Sequence, residues 1–368
     1  MSQALKDERE LLSKPGDTIL ETLEHMKMSQ AELAERLGKT PSKVNDIISG
    51  KEPITVNTAL QLEKVLNIAA QFWLNREMIY REKLSRIEQE EALEECKDWL
   101  KQQPLKELRK CGYIKSEKAD SKMVSELLQF YGVASPIQWE NLYVQEYANT
   151  SFRRSPAHQS ALASMAAWLR IGELEMRKID LVAYNKEQFK IALFEIKKLV
   201  VDFPEDYATQ LQEYCKAAGV AVVYTICLPK APISGATRWI GGNPLIQLTD
   251  RYKSNDHFWF TFFHEAGHVM LHGKKEVFIE DFEGYEVDEE KEKEANDFAA
   301  KWLLPNEFLN DLPEEITEQD IRKIARKYNT HPGIVVGRLQ KLERVAPSFG
   351  AGLKHKVSLE YAIKNQFK

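Results

Sequence analysis

Apolar residues recur at helical spacing through most of this chain, and strand-like runs gather in one region near residues 219–248. Close to the N-terminus, Ser29-Gln30-Ala31-Glu32 reads as a capping box. The helix it opens carries Leu33, Ala34 and Leu37 inward and ends at Gly38, which suits a left-handed cap. Thr40-Pro41 then places an N-cap threonine and a proline at the first helical position. A second short helix follows, with Val44, Ile47 and Ile48 inward, and stops at Gly50. Two short helices joined by a tight glycine-containing turn make a helix-turn-helix. Thr22, Leu23, Leu33, Ala34, Leu37, Val44, Ile48, Leu60, Leu62 and Leu66 are expected to close a five-helix bundle around it. Leu84 to Gln103 is acidic and helical in pattern up to Pro104, and short helices continue from Leu105 to Tyr131. A further helix is expected over Ser160 to Arg177, with Trp168 and Leu169 buried. Residues 184–228 read as helix, loop, helix, strand, the strand lying in the β-rich run Gly219 to Leu228. Thr237 to Ile240 and Leu245 to Leu248 flank Gly241-Gly242-Asn243-Pro244 as a hairpin, and Pro244 argues that its strand begins at a sheet edge.

The apolar run Phe258-Trp259-Phe260-Thr261-Phe262-Phe263 reads as the start of a buried helix and leads into His264-Glu265-Ala266-Gly267-His268. Residues four apart share a helix face. Both imidazoles can therefore reach one metal ion, and Glu265, one residue along, can lie close to a water on it. Two His ligands with a Glu general base are the zincin arrangement. Such a site needs a third protein ligand and keeps a fourth position for water. Downstream, Ala295, Phe298, Ala299, Trp302 and Leu303 follow helical spacing until Pro305 stops the helix. Glu292, Ala295, Asn296 and Ala299 fall on one stripe that would face the first helix, present Glu292 to the metal and place Asn296 to hydrogen-bond a ligand. Glu289, Glu290 and Glu294 are expected on the solvated face, although periodicity alone does not separate Glu292 from Glu294. His272, one turn after His268, is placed either to hydrogen-bond behind a ligand or to cap the helix before Gly273. His331 and Tyr285 are the candidates for a donor to the reacting carbonyl oxygen. A strand at the sheet edge is expected to pair with extended substrate, with Gly241 and Gly242 opening that edge.

His264 to His268, followed by Glu292, Ala295-Asn296, Phe298-Ala299 and Leu303-Leu304-Pro305, resembles the ImmA/IrrE family of metallopeptidases. Gly235-Ala236 with Asn243-Pro244-Leu245-Ile246, and the stretch Pro332 to Gln340, resemble segments of the same family. Leu304 stands where that family usually has Met, an apolar swap of similar volume. The resemblance covers about residues 205–345. It implies a cytosolic zinc endopeptidase acting on a regulatory protein, with Glu292 as the third zinc ligand.

On the helix-turn-helix, Ser42, Lys43, Asn45 and Asp46 point outward from the second helix. Together with Thr40, such short polar residues can reach base edges in a major groove. Gln30 and Lys51 are candidates for phosphate contacts, which position a protein without reading sequence. Pro15-Gly16, Met28 to Ala34, Ile48-x-Gly50-Lys51-x-Pro53-Ile54-Thr55, Ala59-Leu60-x-Leu62 and Phe72-Trp73-Leu74-Asn75 make residues 15–82 resemble the HigA-type antitoxins of the XRE helix-turn-helix class. That resemblance implies a homodimer on a palindromic operator and a cognate toxin as partner. From Pro15 to Tyr80 there are seven Lys and Arg against nine Asp and Glu, a net of −2. Non-specific affinity scales with neutralised phosphates, so specific binding would lean on dimerisation and on Lys39, Lys43 and Lys51.

The whole chain has 368 residues, 43% hydrophobic and 29% charged, with a net charge of −5. That length supports two or three domains with real cores, and the charge excludes a general nucleic-acid coat. No run of about 18 apolar residues spans a membrane. The charged first residues predict no signal peptide. Cys96, Cys111, Cys215 and Cys227 lack paired metal spacing and are expected as reduced thiols, so a cytoplasmic protein is expected. Arg153-Arg154 either binds an acidic ligand or starts a solvated helix.

The expected fold class is α+β: an N-terminal all-α helix-turn-helix bundle plus a zincin-like α+β metallopeptidase domain. Its expected domains are 1–82 for DNA binding, 83–150 as a helical spacer and 151–368 for the peptidase. The expected function is a DNA-binding regulator whose zinc-dependent endopeptidase cleaves itself or a partner regulatory protein. The alternative is an antitoxin or repressor whose zinc domain senses a ligand or partner without proteolysis.

Overall fold

Proline and hydroxyl residues set the helix starts in the N-terminal third. After α1 (Gln3–Glu10), α2 (Pro15–Met26) begins with a proline, where a helix needs no amide. Ser29 Oγ accepts from the Glu32 amide at 3.1 Å and opens α3 (Gln30–Leu37). Thr40 Oγ1 accepts from the Lys43 amide at 3.3 Å and opens α4 (Pro41–Ile48). Thr55 Oγ1 accepts from the Thr58 amide at 3.3 Å and opens α5 (Val56–Leu66). Each cap satisfies an amide that a helix start leaves open. Only half of the expected capping box at Ser29 is used, because the Glu32 carboxylate bonds Arg36 at 2.7 Å. Gly38 ends α3 with φ 64°, as its position required.

The computed structural model describes residues 3–144, 156–249, 251, 253–273, 278–279, 288–360 and 362–363. Packing divides the chain into two units, one of Met1–Asp98 with Ser116–Ser125 and one of Trp99–Lys115 with Glu126–Lys368. The expected spacer over 83–150 is thereby shared between them.

In the first unit Ile19, Leu23, Leu33, Val44, Ile48, Leu62 and Trp73 form the core. Leu60 is 46% exposed, and Ala59 takes the inward place expected of it. At Gly16 a Cβ would lie 1.8 Å from the Ile48 carbonyl oxygen, so only glycine lets α2 cross α4 this closely. The acidic helix expected from Leu84 is the second half of α6 (Ala70–Glu95), which begins inside the predicted DNA-binding domain. Ion pairs four residues apart, Arg81–Glu77 and Arg86–Glu82, carry the helix across residue 82 without a break. Arg9 of α1 pairs with Glu88 of α6 at 3.2 Å.

The second unit begins with the short helix α7 (Leu105–Lys110), and α8 (Ser121–Tyr131) leads into it. Next come α9 (Pro136–Trp139), α10 (Pro156–Met176), α11 (Lys186–Asp202) and α12 (Tyr207–Ala217). Strands β1 (Ala221–Thr225), β2 (Gly235–Ile240) and β3 (Asn243–Thr249) precede α13 (Asn255–Leu271). The chain continues through β4 (Phe278–Ile279), α14 (Glu289–Leu303), α15 (Glu318–Lys327) and α16 (Pro332–Lys341). Among the described residues the sheet order is β1-β3-β2-β4, with β1 and β3 parallel and the other pairs antiparallel. The architecture is α+β, a helical N-terminal region followed by a small mixed sheet with helices.

Strand alternation sorts the sheet's two faces. Val222, Tyr224, Ile246 and Leu248 join the core shared with α11 to α13, while Ala221, Val223 and Leu245 face Met176 of α10. Being covered on both sides, α10 buries Leu162, Ala166, Trp168, Leu169 and Ile171 completely. Pro244 does not mark an edge. β3 is interior, but β1 pairs only from Leu245 onward, so the missing proline amide costs no ladder bond with β1. Gly241 and Gly242, both left-handed at φ 59° and 94°, turn the β2–β3 hairpin rather than opening a sheet edge.

The C-terminal segment holds the start of α13. The Asn255 amide donates to the His355 carbonyl at 2.9 Å, and Lys354 Nζ meets Asp256 at 2.6 Å. His331 caps α16. Its Nδ1 accepts from the Gly333 amide and lies against Asn255 Nδ2, both at 3.0 Å. Burial, the neighbouring His355 and then Arg322 push its pKa down to about 4. An unfolded histidine titrates near 6.5, so between these values the unfolded chain holds a proton that the fold refuses. Stability should therefore be whole above about pH 6.5 and fall by roughly 2–3 kcal/mol as pH drops to 4. Denaturant titrations of wild type and His331→Asn, which keeps a capping oxygen, check this. The stability difference between the two should shift by that amount across the window, and a pH-independent difference would contradict it.

Candidate metal centre

The site is assembled on α13 and α14. Trp259, Phe262, Phe263 and Ala266 are fully buried on α13 and fix its rotation. His264 and His268, four residues apart, then point the same way, 2% and 1% exposed. Gly267 lies between them. A Cβ there would sit 3.1 Å from Ala295 Cα, so glycine is what lets α14 approach. On α14, Asp288 Oδ1 caps the first turn by accepting from the Glu290 and Lys291 amides at 3.2 and 3.3 Å.

That approach brings three ligating atoms together. His264 Nε2 lies 3.2 Å and His268 Nε2 3.4 Å from the Glu292 carboxylate, and the two Nε2 atoms are 3.0 Å apart. Burial acts to raise the Glu292 carboxyl, but the two adjacent imidazoles outweigh it and hold it at about 2. Burial is also the largest influence on His268, and lowers its pKa. Asn296 Oδ1 lies 3.2 Å from His264 Nδ1. An amide oxygen only accepts, so Nδ1 carries the hydrogen and Nε2 offers its lone pair. Two facing lone pairs beside an ionised carboxylate repel unless a cation lies among them. All three ligating atoms fall within 4.8 Å of one another, and two imidazoles with one carboxylate fit a zinc ion.

Glu265 is fully buried. Its Oε2 accepts from the Thr237 hydroxyl at 2.7 Å, and that hydroxyl also lies 3.1 Å from the Glu265 carbonyl. Thr237 and Gly235 share the β2 face toward α13. A Cβ on Gly235 would come within 2.7 Å of the Glu265 carboxylate. β4 pairs with β2 at Thr237 and lays the Phe278 ring on His268, 3.8 Å between centroids and nearly parallel at 15°. Gly235 entered the sequence reading only within a family-like segment and Thr237 only as a strand start, and neither they nor Phe278 were marked as neighbours of the site. Alternation marks two faces on β2 but does not say which one meets α13, and a two-residue strand has no periodicity to find.

His272 closes α13 as its C-cap residue and also lies 2.9 Å from His268 Nδ1, ring nitrogen to ring nitrogen. Glu294, expected in solvent, meets His272 Nε2 at 3.0 Å. His331 is not at the site. It sits beside Asn255, nine residues and roughly 13 Å along α13 from His264, and its ring serves as a helix cap. Tyr285 and Arg153-Arg154 lie outside the described residues.

On the first unit, Gln30, Thr40, Ser42, Lys43, Asn45 and Lys51 are all exposed. Lys43 Nζ is engaged by the Glu52 carboxylate. No described helix is long and apolar enough to cross a membrane.

Comparison with known proteins agrees with both halves. Residues 215–340 match the family model of the IrrE N-terminal-like domain, a peptidase family, and residues 19–73 match that of the helix-turn-helix. The chain is similar to an uncharacterized HTH-type transcriptional regulator, YddM, of Escherichia coli (strain K12), 34% identical over 62 residues, 17% of this chain and 66% of that protein. It is also similar to virulence-associated protein I of Dichelobacter nodosus, 36% identical over 72 residues, 19% of this chain and 67% of that protein. The chain thus belongs to the helix-turn-helix family in its N-terminal region and carries an IrrE N-terminal-like peptidase domain behind it.

Proposed function

We propose that this chain is a DNA-binding transcriptional regulator whose C-terminal domain is a zinc-dependent endopeptidase, cleaving the chain itself or a partner regulatory protein in the cytoplasm. The observation that carries the reading is the convergence of His264, His268 and Glu292 with Glu265 buried beside them. These three residues would hold the zinc, which when bound supplies a Lewis acid for the peptide carbonyl and lowers the pKa of a water. Glu265 takes a proton from the attacking water at its carboxylate and delivers it to the leaving amine nitrogen. The Thr237 hydroxyl holds that carboxylate in one orientation. Asn296 and His272 orient the two imidazoles from behind.

For DNA, Thr40, Ser42, Lys43 and Asn45 are assigned to base edges, and Gln30 and Lys51 to phosphates. The Lys43–Glu52 pair cancels one positive charge at this surface. A homodimer on a palindromic operator would supply the missing affinity. The exposed apolar residues Val56, Leu60, Phe72, Met78 and Ile79 support such a dimer. A second reading is an antitoxin or repressor of the HigA type, with a toxin as partner and the zinc domain as a sensor. The domain fusion and the likeness to an HTH-type transcriptional regulator favour it. The buried Glu265 favours the peptidase, because a sensor has no use for a general base.

In the purified chain, Glu265→Gln should keep one equivalent of zinc and lose cleavage by roughly 10²–10⁴-fold. Mass spectrometry of fragments alongside metal analysis reads both quantities, and cleavage at the wild-type rate would sink the assignment. On the DNA side, Lys51→Ala should weaken binding to all sequences alike and flatten the logarithmic salt dependence by about one unit. Asn45→Ala should instead cost about 1–3 kcal/mol on the operator alone. Titrations of operator and scrambled duplex at several salt concentrations separate these, and identical behaviour of the two variants would refute the division of roles.

A further inference from the structure

A chain of ring nitrogens runs outward from the metal ligands. His268 Nδ1 lies 2.9 Å from His272 Nδ1, and His272 Nε2 lies 3.0 Å from Glu294 Oε2. The His272 side chain is 3% exposed, whereas that of Glu294 is 56% exposed. We propose that Glu294, through His272, fixes the tautomer of His268 and so sets the affinity of the site for its metal. The inference rests on the zinc-site reading above.

Counting hydrogens gives the direction. A carboxylate only accepts, so the His272 nitrogen facing Glu294 must carry hydrogen. In a neutral ring the other nitrogen, Nδ1, is then an acceptor. His268 must therefore donate from its Nδ1, which leaves its Nε2 bare and aimed at His264 and Glu292. The reverse arrangement fails twice. A hydrogen on His272 Nδ1 would leave a lone pair facing the Glu294 carboxylate, and the hydrogen displaced to His268 Nε2 would block ligation. Phe278 keeps the chain in register. Its ring lies flat on His268 and 5.3 Å from His272, covering both. His264 has a separate anchor in Asn296. Thus α14 supplies Glu292 to the metal side of the imidazoles, and Asn296 and Glu294 to their far sides.

Zinc itself is the probe. Its dissociation constant is measured on the full-length chain by competition with a chromophoric chelator. Glu294→Ala and His272→Phe should each weaken zinc binding by roughly 10–100-fold, the usual cost of losing a partner behind a ligating histidine. Glu294→Gln, which keeps an acceptor oxygen without the charge, should fall between wild type and Glu294→Ala. Glu290→Ala removes an exposed carboxylate from the same helix and should change the constant by less than about twofold, as expected for a screened surface charge. A long-range nitrogen–proton NMR spectrum of zinc-loaded wild type should show hydrogen on His272 Nε2, and this assignment should be lost in Glu294→Ala. Unchanged zinc affinity in Glu294→Ala, or a loss no larger than that of Glu290→Ala, overturns the inference and leaves the zinc reading standing. A wild-type chain that binds no zinc overturns both.

Discussion

The close crossing of α13 and α14 is the constraint on which the site depends. Gly267 and Ala295 meet there tightly, a Cβ at Gly267 lying 3.1 Å from Ala295 Cα, and Ala299 continues the small-residue seam, fully buried. Packed helices normally keep their axes about 8–10 Å apart, by an amount set by the side chains at the contact. Small residues bring these two close, and the Glu292 carboxylate then reaches both imidazoles. Phe263 stacks on Trp302 further along, 5.7 Å between centroids, and locks the same crossing from the apolar side. A larger residue at 267 would push the helices apart and separate the three ligating atoms before any ligand was changed.

The sheet supplies the remaining constraint. A buried carboxylate is costly unless it is hydrogen-bonded, and Glu265 has no exposure at all. β2 answers this with the Thr237 hydroxyl and makes room for it with Gly235. Because helices cover both faces of the sheet, β2 cannot shift without disturbing either α10 or α13. Arg238 Nη2, on the α10 face, donates to the Leu169 carbonyl at 2.6 Å and ties the strand down one residue from Thr237. The position of the Glu265 carboxylate is therefore set by the core.

The clustering of His264 and His268 with Glu265 beside them was legible because a four-residue spacing on an apolar helix leaves few alternatives. The third member of the cluster, Glu292, was not legible from periodicity. Glu292 and Glu294 lie two residues apart in one acidic run, and only the family resemblance favoured the former. Glu294 lies on the exposed face as expected, and its carboxylate also reaches His272, because a long side chain at a helix edge can turn back to a partner that spacing does not reveal. Thr237 and Phe278 depend on which sheet face meets which helix, a tertiary choice that one strand's pattern does not contain. Pro244 misled because a missing amide can be absorbed at a strand end as well as at an edge. The helix starts at Ser29, Thr40 and Thr55 were local matters of capping, and two of the three were read directly. No break marks residue 82, the expected end of the first domain, because α6 runs straight through it on favourable side-chain pairs.

X-ray absorption at the zinc edge, on the purified chain and on His268→Ala, tests the central claim most directly. The account predicts one zinc per chain in wild type, with two imidazole nitrogens and lighter oxygen ligands around it and no sulfur. It also predicts loss of that signature in His268→Ala. A sulfur-containing shell, or an unchanged zinc environment in the variant, would place the metal elsewhere and contradict the account.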